Sequence, residues 1–133
     1  MRRTTLRRSL ALTLCIATLS ACSGGGGTAE GAVEAYVNAL IAGDEVEVIN
    51  LSCAAWEAQA ATEAASFESV EVSVDGLACQ GTGSDGEAAL IACSGTILAV
   101  YNGEQQELPL EGRLFRALQE DGEWKMCGYQ QDP

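Results

Sequence analysis

The sequence predicts an α+β domain in which N-terminal helices pack on a curved, roughly four-stranded antiparallel sheet. Three observations carry this. Apolar residues in "AEGAVEAYVNALIAG" recur with a helical period. From Phe67 onward the pattern changes to alternation with a period of two. Turn signals at Gly81 to Gly86, Asn102-Gly103 and Asp121-Gly122 then divide the second half into strands.

Each element has its own warrant. Thr28 can cap the first helix, in which Val33, Tyr36, Val37, Leu40 and Ile41 form one apolar stripe, and Gly43 suits the residue just past its end. Asp44 and Glu47 have capping-box spacing for a second helix, on which Val46, Ile49 and Cys53 are expected to share a side. "AAWEAQAATEAA" follows as an alanine-rich third helix with Trp56 as its one large side chain. In "FESVEVSVDGLAC", Val70, Val72 and Val74 alternate with Glu71, Ser73 and Asp75, as in a half-buried strand. "EAALIACSGTILAVY" is apolar on both faces. "EQQELPLEGRLFRALQ" reads as the next strand, with Pro109 moving its first part toward an edge or bulge, and "EWKMCGY" closes the sheet.

The chain of 133 residues suffices for one domain preceded by an export signal. Arg2, Arg3, Arg7 and Arg8 precede the short apolar run "SLALTLCIATL", which is below the roughly 20 residues that a bilayer span needs. Leu19-Ser20-Ala21-Cys22 then resembles a bacterial lipobox. That resemblance implies a signal peptide over 1–21, cleavage before Cys22 and lipidation of its thiol. Residues 22–28 would be the lipidated cysteine and a glycine-rich tether, residues 29–129 the folded domain, and 130–133 a tail. "RRTTLR" partly resembles a twin-arginine signal, but Thr5 stands where that signal prefers an aromatic residue, so the ordinary secretory route is expected. The expected location is the extracytoplasmic face of a cell membrane, with the bilayer as a partner through Cys22.

Past Cys22 three basic residues face nineteen acidic ones, a formal charge of −16. Such a field repels nucleic acid and anionic head groups, so neither is an expected partner. Once Cys15 leaves with the leader and Cys22 takes a lipid, four cysteines remain, an even number in an exported domain. A turn near Asp85-Gly86 sets Cys79 almost opposite Cys93. Cys53 with Cys127 follows by elimination, although the other two pairings stay open from sequence alone. If Cys53 bonds Cys127, then Cys127, Lys125 and Tyr129 should face the helices, and Trp124 and Met126 should face away. Four thiolates at these spacings, without a histidine, do not make a zinc site, and no cofactor motif is present.

The stretch "AVEAYVNALIAGD", a cysteine ending the second helix and the closing "DGEWKMCGY" together resemble the nuclear transport factor 2-like, or cystatin-like, fold. The resemblance covers Ala29 to Tyr129 and implies a cone-shaped pocket between sheet and helices. Enzymes of this type, such as ketosteroid isomerase-like proteins, place an acid or base in that pocket. No Asp or Tyr here matches such a position by a local motif, so the resemblance implies a non-catalytic small-molecule-binding or protein-interaction module. The alternatives are a small isomerase- or dehydratase-type enzyme and a structural envelope lipoprotein without ligand.

Three residues are candidates for the pocket. Counting alternation along its strand puts Arg116 with Leu108, Leu110, Leu114 and Leu118, toward the helices. There it would either pair with an acid such as Glu57 or anchor an anionic ligand. Tyr36 and Trp56 are the aromatic candidates, each with a packing role available as well. Apolar residues on both faces of "EAALIACSGTILAVY" further raise a homodimer through the sheet face.

Overall fold

The Thr28 hydroxyl accepts the Gly31 amide at 3.0 Å and so starts helix α1 (Ala29–Ala42), which ends at Gly43 in the left-handed region (φ 68°). The computed structural model describes residues 27–133. The segments expected to be a signal peptide and most of the expected tether, Cys22 included, lie outside the described residues. Val33, Tyr36, Val37 and Leu40 are buried along one stripe of α1, as their spacing requires.

Helix α2 (Glu45–Asn50) is capped by the Asp44 carboxylate, which accepts the Glu47 amide at 3.0 Å. The reciprocal half of the capping box is absent because the Asp44 amide donates to the Ala39 carbonyl at 3.1 Å. Val48 is its buried residue and Val46 is 70% exposed. The shared side expected for Val46, Ile49 and Cys53 is therefore corrected. The helix stops at Asn50, and the chain after it docks on a strand edge: the Cys53 amide donates to the Met126 carbonyl at 2.8 Å and the Met126 amide to the Leu51 carbonyl at 2.8 Å. Helix α3 (Glu57–Ala65) turns two alanines inward, Ala60 and Ala64, whose small size lets the helix approach the core closely.

The strands are β1 (Glu71–Asp85), β2 (Ala88–Tyr101), β3 (Glu104–Pro109), β4 (Arg113–Glu120) and β5 (Glu123–Gln131). All pairs are antiparallel, in the order β1-β2-β4-β5, with β3 beside the far half of β2. The protein is thus an α+β fold with helices followed by a curved antiparallel sheet. The sheet has five strands because "EQQELPLEGRLFRALQ" is broken at Leu110 to Gly112. There the Leu110 amide makes a last bond in the β3 register, to the Gly95 carbonyl at 2.9 Å, the Leu110 side chain drops into the core, and the pairing with β2 resumes one residue out of step at Leu114. The last strand runs to Gln131, two residues past the expected domain end.

Curvature comes from bulges. β1 carries extra residues between Asp75 and Ala78 and between Gly81 and Gly83. β5 carries one between Met126 and Tyr129, opposite Arg116. The β5 bulge resets alternation, so Met126 and Tyr129 both pack against the core. Trp124 also packs there, which corrects the expectation that Trp124 and Met126 face away. Lys125 instead reaches the Asn50 carbonyl at 2.7 Å and Glu123 at 3.1 Å.

Two disulfides join the parts. Cys79–Cys93 links directly opposed residues of β1 and β2, and Cys53–Cys127 ties the segment after α2 to β5. By loop entropy they contribute about 3 and about 4.5 kcal/mol respectively. The longer loop gains more, and it fixes the helical layer to the far edge of the sheet.

Candidate functional site

Glu63 is the centre of the most organised polar cluster. It lies on α3 three residues after Ala60 and one before Ala64, on the side of the helix that faces the core. Its Oε2 accepts the Tyr36 hydroxyl from α1 at 2.7 Å and the Tyr129 hydroxyl from β5 at 2.9 Å. The Trp56 indole N–H donates to the Tyr36 oxygen at 3.3 Å. The Trp56 and Tyr129 rings meet edge to face at 5.5 Å, and Phe115 and Tyr129 do the same at 5.0 Å. Gly128 lies against the Trp56 ring with φ 110°, a backbone conformation that side chains rarely adopt.

Burial is the main reason that both tyrosine hydroxyls hold their protons far above the usual phenol range; the Glu63 carboxylate beside them adds to the effect. The two groups are therefore hydrogen-bond donors and not bases. Glu63 is the acceptor that fixes α3 to α1 and β5 at once.

Beside this cluster opens a cleft of about 580 Å³. Leu40, Phe67, Ile97 and Leu108 supply its apolar walls, while Glu63, Glu111, Arg113 and Tyr129 bring polar atoms to it. The break between β3 and β4 forms one side, so the cleft exists because the long strand expected here is two strands. Arg113, the first residue of β4, lays its guanidinium over the Tyr129 ring at 4.5 Å from the centroid and 5.4 Å from that of Phe115. Glu111 accepts the Gly95 amide at 3.3 Å.

The three sequence candidates are divided by the fold. Tyr36 is fully buried and Trp56 packs against the core, so both stand behind the cleft and hold Glu63 and Tyr129 in place. Arg116 does not face the helices. Phe115 and Ala117 are the core residues of β4, and Arg116 pairs across the sheet with Leu90 on the outer face. Its guanidinium meets Asp85 at 2.8 Å and Gln130 at 3.1 Å, not Glu57. Counting fails because the break at Leu110 to Gly112 shifts the alternation: Leu110 lies in the core, and after the break Phe115 and Ala117, not Leu114 and Arg116, continue that face.

Glu63, Tyr129 and Arg113 complete the site and were not singled out from sequence as pocket residues. A signal for Glu63 was present: it is an acid on the same stripe as Ala60, Ala64 and Phe67, where a carboxylate needs a buried donor. Among the described residues no group of three or more His, Cys, Asp or Glu side chains could hold a metal, and no helix is long and apolar enough to cross a membrane. In comparisons with known proteins, no family model matches the chain and no curated protein does.

Proposed function

We propose that this protein is a membrane-anchored extracytoplasmic lipoprotein whose domain binds a small molecule without transforming it. The observation that carries the binding reading is the open cleft of about 580 Å³ with mainly apolar walls and a few convergent polar groups. The polar groups favour binding over catalysis. Both tyrosine protons are committed to Glu63, and neither hydroxyl is disposed to act as a base. The order of elements, helices and then a curved antiparallel sheet, supports the resemblance to the nuclear transport factor 2-like fold, whose pocket lies between the same layers.

The anchor rests on the leader and on Leu19-Ser20-Ala21-Cys22. Two disulfides in a domain of this size suit an oxidising compartment. A sheet-to-sheet homodimer has less support. Leu90, Leu98, Val100 and Leu118 on the outer face are already half-buried by their neighbours, so that face does not require a second copy.

The protein purified from its own cells should carry a bound molecule, visible as a mass increment under native conditions. Leu108→Trp, at an exposed lip of the cleft, should abolish that increment while leaving the fold intact. A wild-type protein with no increment would remove the binding reading. Fractionation tests the anchor: Cys22→Ser should move the protein from the membrane to the soluble fraction, and retention in the membrane would count against lipidation.

A further inference from the structure

We propose that Arg113 anchors the negatively charged group of the cleft's ligand, which is accordingly an organic anion with an apolar body. The inference rests on the reading of the cleft as a binding site and specifies what enters it.

The charge inventory makes Arg113 unusual. The described residues contain three cations among nineteen acids. Arg116 is paired with Asp85 at 2.8 Å and Lys125 with Glu123 at 3.1 Å. Arg113 alone has no carboxylate within 4.0 Å among the described residues, in a chain with acids in excess. It is nonetheless held. Two aromatic rings, Tyr129 and Phe115, support its guanidinium at the cleft. A guanidinium stacked in this way loses little freedom when it binds, and its N–H groups form a planar fork that matches a carboxylate.

The acids of the cleft are otherwise engaged. Glu63 Oε2 receives two hydroxyls, and Glu111 receives the Gly95 amide. The free donors are those of Arg113, and the apolar walls formed by Leu40, Phe67, Ile97 and Leu108 would take the body of the ligand. The rival arrangement is an ammonium group on Glu63, and it makes the opposite prediction about ligand charge.

Calorimetric titration of the exported chain carrying Cys22→Ser, with no acyl group to compete for the cleft, separates these readings. Octanoate, 1-octanol and octylammonium share one chain length and differ in charge. Octanoate should bind at least about tenfold more tightly than octanol, and octylammonium more weakly than either. Arg113→Gln should bring octanoate to the affinity of octanol and leave octanol unchanged. Arg116→Gln, which removes a charge from the outer face, should leave octanoate unchanged.

Equal affinity for octanoate and octanol in the wild type would overturn the anchor and leave the binding site standing. So would an equal loss of octanoate affinity in both arginine variants, which would make the effect one of net charge. Tightest binding of octylammonium would assign recognition to Glu63. If none of the three binds, the cleft reading itself fails. Should Arg113→Gln not fold, the wild-type order of affinities, and the loss of the octanoate preference in high salt, still decide the question.

Discussion

Tyr36 donates to Glu63 and accepts from Trp56, so replacing it with Phe removes two hydrogen bonds, whereas the same change at Tyr129 removes one. Tyr36→Phe leaves the Trp56 indole N–H without its acceptor. It should destabilise the domain by about 2–3 kcal/mol, against about 1 kcal/mol for Tyr129→Phe, as measured by urea unfolding. Equal losses would mean that the Trp56 bond contributes nothing. The same residues set an alkaline limit. Burial holds both hydroxyls protonated in the folded state, while in the unfolded chain they ionise near the ordinary phenol value of 10.0. Their contribution is complete below that value and is lost as pH rises above it, because only the unfolded chain releases the protons. Stability should therefore fall between about pH 10 and 11.5, with each tyrosine adding up to about 1.4 kcal/mol per pH unit to the slope. In the double variant Tyr36→Phe with Tyr129→Phe the slope should flatten. An unchanged slope would show that the ionising groups lie elsewhere.

At the scale of elements, the strands are legible in the sequence, and their faces are legible only where no bulge or break intervenes. The alternation of Val72 and Val74 with Ser73 and Asp75 is reproduced in their burial. Asn102-Gly103 and Asp121-Gly122 form the expected tight turns, with Asn102 and Asp121 at φ 50° and 52°. What alternation alone could not give was where it would be interrupted. Glycines inside apparent strands were the available sign: Gly76 and Gly128 both lie within bulges, and Gly95 faces the first of them. Alternation puts Arg116 on the wrong face, and no single motif marks Arg113 or Glu63, because the site joins the start of β4 after the break, the β5 bulge before Tyr129 and one face of α3. Gly95 shows how tightly the first bulge is built. Its φ is 120°, and an added Cβ would lie 2.8 Å from the Asp75 carbonyl oxygen and 3.0 Å from Gly76 backbone atoms. Gly95→Ala should destabilise the domain by about 2 kcal/mol or more, and it should also disturb the cleft through the Leu110 and Glu111 contacts that converge on Gly95. Gly103→Ala, where φ is 82° but nothing lies within 4 Å, separates strain from collision: it should be the milder of the two.

For the whole molecule, charge outweighs any single contact. Nineteen acids against three bases repel one another in the folded state more than in the expanded chain. Added salt has two opposed effects. It screens this repulsion, and it weakens the pairs Arg116–Asp85 and Lys125–Glu123. Both pairs have exposed carboxylates, at 61% and 65% of the side chain, and such pairs contribute only about 0–1 kcal/mol each. Repulsion among the unpaired acids should prevail. Raising NaCl from about 10 mM to about 0.5 M should stabilise the domain by about 1 kcal/mol, which at this size is a rise of about 4–8 °C in Tm. KCl should act equally, since the effect is one of ionic strength. A Tm that falls with salt would mean that Arg116 and Lys125 hold the fold through pairs stronger than their exposure implies.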